Sequence, residues 1–225
     1  MSSVSNTHLC IYHKNCPDGF GAALSVKVFL DREHKDECHE WLAANHDDTA
    51  PSVHGKQVYI VDFAYHRAEL IRMHQEAASL VVIDHHKTAE ADLKGLDFCH
   101  FDMSKSGAFL AWEHFNPNLP APKLMHYIQD CDLWQWQLPS SRAYSAGLQL
   151  YAMTFDNWLP LLDDSTAGTI IEQGEIVRAY QNREVQGAID NGHEMINLCG
   201  YLVPCLNTTS LISDIGNELC QGHPF

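Results

Sequence analysis

The chain has 225 residues, about one and a half times a typical domain of ~150, and 45% of them are hydrophobic against 19% charged, which gives it a core to bury and excludes a disordered tail. Fourteen basic side chains against 29 acidic ones leave a formal net charge of −15, which repels phosphate backbones and excludes an electrostatically driven duplex binder. It does not exclude an enzyme that meets phosphates through bound cations, and the 15 histidines are ready metal ligands.

Residues 8–13 (HLCIYH) read as a short strand, and 19–30 (GFGAALSVKVFL) as a helix with Ala23, Val26 and Leu30 at helical spacing. Residues 31–57 are charged and irregular, with room for one short edge strand. An apolar strand over 58–63 ends on Asp62, a helix covers 66–77, and a second apolar strand over 80–83 runs into Asp84-His85-His86. A strand over 98–102 and a helix over 106–115 follow. Apolar runs of four to six residues alternating with helices predict parallel strands buried on both faces, a doubly wound α/β sheet with right-handed crossovers.

From Ala121 the pattern is helical: 124–131, then 143–151 and 156–162, then a long amphipathic helix over 166–189 with Ile170, Ile171, Val177, Tyr180, Ala188 and Ile189 on one side. Gly192-His193 breaks it. A new apolar segment covers 195–206, and a last helix covers 208–220 with Asn207 or Thr208 as N-cap. The eight cysteines are scattered, no two of them forming a CxxC half-site, which predicts reduced thiols, a cytoplasmic protein and no zinc ribbon. The amino-terminal residues are polar, and no apolar run approaches the ~18 residues of a membrane span.

Ligands of doubly wound sheets bind outside the carboxyl ends of the strands. That rule gathers His13, Asp18, Asp62, Asp84, His85 and His86 onto one rim. Asp130 and Asp132 end a helix whose placement the sequence leaves open, and acids there oppose the helix dipole. Taken singly, a strand-end Asp is usually a turn residue and a lone His is usually structural. Two adjacent imidazoles after a buried strand-end Asp need partners. Clustered carboxylates need a cation to offset their burial, and oxygen with imidazole donors suits Mn²⁺, Mg²⁺ or Zn²⁺. One carboxylate can bridge two such ions about 3.5–4 Å apart and so arrange in-line attack on a phosphoester. The Gly19-Phe20-Gly21 run signals only close packing. Trp134-Gln135-Trp136 reads as core or interdomain packing.

Four segments together resemble the DHH phosphoesterase superfamily: His13-Lys14-Asn15-Cys16-Pro17-Asp18-Gly19, Ile60-Val61-Asp62-Phe63, Val82-Ile83-Asp84-His85-His86, and Asp130-Cys131-Asp132-Leu133-Trp134. They cover roughly residues 8–136 in the family's order, and the last looks most like the oligoribonuclease branch. The resemblance implies a two-domain enzyme with two Mn²⁺ ions, Mg²⁺ being the alternative. It implies His13 and Asp18 as ligands from the first motif and Asp62 as the bridging carboxylate. His85 would bind the second ion with Asp130 beside it, Asp132 being the alternative to Asp130. Asp84 would orient that shell or ligate directly, and His86 would contact the scissile phosphate.

Two departures stand out. The first motif of the family carries a further Asp, whose place here falls to Cys16 or Phe20. The family's Gly-rich substrate segment does not appear before Phe225, so the second domain reads as truncated or degenerate. The expected organisation is a DHH-type catalytic domain over 1–164, a linker helix over 165–192 and the start of a substrate-binding α/β domain over 193–225. The implied activity is hydrolysis of short single-stranded oligonucleotides or small phosphodiesters, with no duplex and no membrane as partner. The alternatives are a manganese pyrophosphatase of the same fold and a metal-degenerate nucleotide- or partner-binding module.

Overall fold

A computed structural model describes residues 7–223. Five parallel strands form one sheet: β1 (Thr7–His13), β2 (Cys38–Ala44), β3 (Gln57–Val61), β4 (Ser79–Asp84) and β5 (Cys99–Phe101), in the order β2-β1-β3-β4-β5. The chain leaves β1 in one direction to form β2, then returns past β1 to form β3. Strand order therefore reverses between β1 and β3, and a crevice opens at their carboxyl ends.

The alternation of side chains explains the two covered faces. Leu9, Ile11, Val58, Ile60 and Val82 point to one side, onto Leu70 and Met73 of α2 (Arg67–Glu76) and Leu93 of α3 (Lys87–Leu93). Cys10, Tyr59, Val61 and Ile83 point to the other, onto Ala22, Ala23, Val26 and Leu30 of α1 (Pro17–Glu33) and Ala111 and Phe115 of α4 (Gly107–Phe115). The predicted α/β architecture with a parallel sheet is present. Helix α3 was not expected from the sequence: its charged heptapeptide KTAEADL buries only Leu93, so it carries almost no apolar period. Strand β2 is a full seven residues, although only Ala44 in it is buried.

A second core joins Phe20 and Leu24 of α1 to α5 (Lys123–Asp132), α6 (Ser141–Leu148), α7 (Phe155–Trp158) and the start of α8 (Ala167–Gly192). Trp158 and Tyr144 are fully enclosed there. Helix α8 has the predicted extent, but its predicted apolar stripe is buried only in part. Ala167, Ile170, Gly174 and Val185 are covered, whereas Tyr180 is 61% exposed.

Beyond α8, the single apolar segment expected over 195–206 is an antiparallel hairpin, β6 (Glu194–Leu198) with β7 (Tyr201–Cys205). Cys199 and Gly200 form its two-residue turn, both with positive φ, the backbone a tight hairpin needs. Helix α9 (Ile212–Leu219) begins four residues later than the predicted 208, after Leu211. Thr208 does not cap it; its hydroxyl instead hydrogen-bonds within the preceding turn, to Ser210. Among the described residues no helix is long and apolar enough to cross a membrane.

Candidate metal centre

The crevice between β1 and β3 gathers side chains from five elements. His13 is the last residue of β1, and Cys16 and Asp18 stand at the start of α1. Asp62 follows β3 in a left-handed conformation (φ 53°), a backbone region that costs a non-glycine residue energy and that clusters at functional sites. His85 follows β4, and Asp132 is the last residue of α5.

His85 is the hub. Its Nε2 lies 3.2 Å from Asp62 Oδ1, 3.5 Å from Asp18 Oδ2 and 3.6 Å from Asp132 Oδ2. The other oxygen of Asp62, Oδ2, faces His13 Nδ1 at 3.7 Å. Asp62 thus stands between two groups of donors. His13, Cys16 and Asp62 form one set, and Asp18, His85 and Asp132 form another, with the donor atoms within 4.8 Å of one another in each. His86 joins Asp62 and His85 at the same spacing.

The backbone explains why the carboxylates hold these positions. Asp18 accepts the amides of Gly107 (2.7 Å) and Ala108 (2.9 Å) at the amino-terminus of α4, where exposed N–H groups favour negative charge. Gly107 has no alternative: a Cβ there would fall 2.5 Å from the Asp62 side chain. Each Asp18 oxygen keeps a lone pair for a second partner.

The electrostatics are those of an acidic cluster short of cations. Burial, then the charges of Asp62 and Asp132, hold the Asp18 carboxyl well above the usual range. Burial also acts on Asp62, but contacts with His13, His85 and Asp18 outweigh it and lower its pKa. Burial raises Asp132. At His85, burial opposes charge, yet Asp62, Asp18 and Asp132 prevail and push the imidazole up to about 9. Burial, followed by the charge of Asp62, pushes the Cys16 thiol up to about 12. A protonated imidazole among three aspartates makes good only part of the charge deficit, since Asp62 Oδ1 is buried with no hydrogen-bond partner among the described residues. Two imidazoles, a thiol and three carboxylates, one with an unmet acceptor, fit divalent cations.

The remaining predicted residues sit around this cluster. Asp84 is fully buried and belongs to none of the donor sets; its Oδ1 accepts the His85 amide (2.8 Å) and stands 2.7 Å from His86 Nδ1. It thereby fixes the His86 ring through Nδ1 and the His85 backbone through its amide. Burial works against charge on His86, but the contact with Asp84 dominates and raises its pKa.

Asp130 is a correction. Its carboxylate turns away from the cluster and accepts the amides of Gln137 (2.9 Å) and Leu138 (3.2 Å), while its carbonyl accepts those of Gln135 and Trp136. The last turn of a helix points residues i and i+2 in different directions, so only Asp132 reaches His85. Two tryptophans follow α5. Trp134 and Trp136 both have left-handed backbone, Trp134 is 45% exposed, and Arg142 lies over their rings at 5.7 and 4.2 Å. Of the two residues that could stand in for the family's missing Asp, Phe20 packs on Phe155 and Trp158 in the core and Cys16 faces Asp62. His46, just beyond β2, is a neighbour that no sequence pattern marks; its ring lies 5.9 Å from that of His13 and 6.3 Å from that of His86. It sits in a polar loop.

Beside the cluster opens a cavity of about 430 Å³, bounded by Cys16, Asp18 and Asp132 at the cluster end and by Tyr127, Tyr144, Leu148, Met153 and Trp158 beyond.

No protein-family model matches the chain. The chain is 26% identical over 235 residues to uncharacterized protein R106 of Acanthamoeba polyphaga mimivirus, covering 96% of this chain and 55% of that protein. The chain thus spans about half the length of the curated relative it matches. Among solved structures it is similar to an uncharacterized protein from Helicobacter pylori G27, at 12% identity and a TM-score of 0.49, over 97% of this chain and 80% of that one.

Proposed function

We propose that this chain is a divalent-metal-dependent phosphodiesterase of DHH type that hydrolyses short single-stranded oligonucleotides. The observation that carries the reading is the joining of two donor sets through Asp62 at the sheet's switch point, beside a largely apolar cavity. Two ions, Mn²⁺ by the family resemblance, would be held by His13, Asp18, Asp62, His85 and Asp132, and when bound would polarise the phosphoryl oxygens and activate a water for in-line attack.

The chain's own residues do the rest. Asp62 offers one oxygen to each donor set and so fixes their separation. Asp84 engages His86 Nδ1, which leaves Nε2 as the nitrogen free to meet the phosphate or hand a proton to the leaving oxygen. The ring-lined cavity takes the organic part of the ester; a nucleoside fits a space of that size and apolarity, whereas pyrophosphate has nothing to place there. The acidic surface accords with binding that depends on cations rather than on basic side chains.

Incubation of the chain with Mn²⁺ and an end-labelled dinucleotide tests the reading. Release of mononucleotides, abolished by chelator, is the expected result. Phosphate release from pyrophosphate with the dinucleotide left intact would overturn it in favour of a pyrophosphatase. Metal-independent dinucleotide binding without cleavage would overturn it in favour of a binding module.

A further inference from the structure

The two donor sets around Asp62 differ in kind. Asp18, His85 and Asp132 offer two carboxylates and an imidazole. His13, Cys16 and Asp62 offer an imidazole, a sulfur and a carboxylate. Cys16 is the N-cap residue of α1, with the backbone N–H groups of Asp18 and Gly19 facing its sulfur. Asp62, 2% exposed, has Oδ2 3.7 Å from His13 Nδ1 on this side and a buried Oδ1 with no hydrogen-bond partner among the described residues. Sulfur, imidazole nitrogen and carboxylate oxygen thus converge on one space at the end of β1.

We propose that Cys16 is a metal ligand through Sγ, and that it makes the half-site at the end of β1 selective for a softer cation, Zn²⁺ in the first place, while the half-site of Asp18, His85 and Asp132 keeps the preference of oxygen-rich sites for Mn²⁺ or Mg²⁺. Thiolates select Zn²⁺ over the hard cations that carboxylates hold equally well. On binding, the Sγ–metal bond forms as the S–H bond breaks and the proton passes to solvent; no oxidation state changes. The ion pair is then mixed, with one position set by sulfur and the other by oxygen. This inference rests on the metal-centre reading above and sharpens it at a single residue.

Titration of the full chain with Co²⁺, in the presence of a non-thiol reductant, reads the ligand directly. The expected result is a near-ultraviolet sulfur-to-cobalt charge-transfer band that saturates with the first equivalent, survives Cys131→Ser and disappears in Cys16→Ser. In dialysis against equal Zn²⁺ and Mn²⁺, Cys16→Asp should shift the bound ratio toward Mn²⁺ by about tenfold or more. Stoichiometric Co²⁺ without the band, or a band that persists in Cys16→Ser, would overturn the role of Cys16 and leave the metal centre standing. No Co²⁺ uptake by the wild-type chain would overturn both.

Discussion

Strand β1 carries a histidine near each end, and the two live in opposite circumstances. His8, at the base of the sheet, is fully buried; its Nδ1 lies 2.9 Å from the Tyr59 hydroxyl and its Nε2 2.6 Å from Glu37, which also meets His34 at 3.2 Å. One carboxylate there serves two imidazoles, and both nitrogens of the buried ring are engaged. At the rim, three aspartates face His85 and one of them also faces His13, separations stretch to 3.2–3.7 Å, and a buried carboxylate oxygen is left without a hydrogen bond. The donor atoms are as closely grouped at the base as at the rim. Histidine beside acid therefore does not by itself make a site; the base is a closed network that holds β1 against β3 and the turn before β2, and the rim is an open one that the proposed cations would complete.

The contrast breaks most sharply at Asp62. Asp62→Asn should lower dinucleotide cleavage on the order of 10³-fold, the scale of losing a principal stabiliser of transition-state charge, and should strip metal on dialysis without lowering the melting temperature of the metal-free chain. An active Asp62→Asn enzyme would put the chemistry elsewhere. Next come the paired variants of α5. Asp132→Asn should cost about 10² in rate at unchanged stability. Asp130→Asn should cost about 1–2 kcal/mol in urea unfolding, through the amides of Gln137 and Leu138, and little rate per folded molecule. The reverse pattern would restore Asp130 as the ligand. Asp84→Asn should weaken metal affinity or rate by roughly 10–100-fold, as the loss of a carboxylate behind a histidine does.

At the base the expected effects fall on stability alone. His8→Leu strands Glu37 and the Tyr59 hydroxyl and should cost about 2 kcal/mol, with kcat unchanged for the folded fraction. Hydrogen bonds from His8 and His34 hold the Glu37 carboxyl below its ordinary value. A carboxyl lowered on folding stabilises above its unfolded pKa, ~4.3, and that contribution fades as pH falls through the lowered folded value. The wild-type melting temperature should therefore decline slightly more steeply below ~pH 4 than that of Glu37→Gln; identical profiles would show that the base network carries no charge.

Much of the site was legible because buried parallel strands are continuous apolar runs, and the residues that stop them stand at the crevice. His13, Asp62 and Asp84-His85-His86 were placed on one rim that way. What was not legible depends on direction rather than position. Asp130 and Asp132 differ by two residues, 200° around a helix, and only the packing of α5 decides which faces His85. Cys16 against Phe20 is decided by which side chain the second core takes in. His46 lies in a loop with no period to announce it. The hairpin of β6 and β7 was read as one segment because its turn, Cys199-Gly200, carries none of the Asn or Asp that usually marks such turns.

The central claim is that the rim holds a pair of divalent cations through Asp62. Equilibrium dialysis of the full chain against Mn²⁺ and Zn²⁺, with metal content measured per chain, tests it most directly. The account predicts two ions per wild-type chain, loss of at least one in Asp62→Asn, and no change in His8→Leu. Fewer than one ion per wild-type chain, or a stoichiometry that Asp62→Asn leaves untouched, would contradict it.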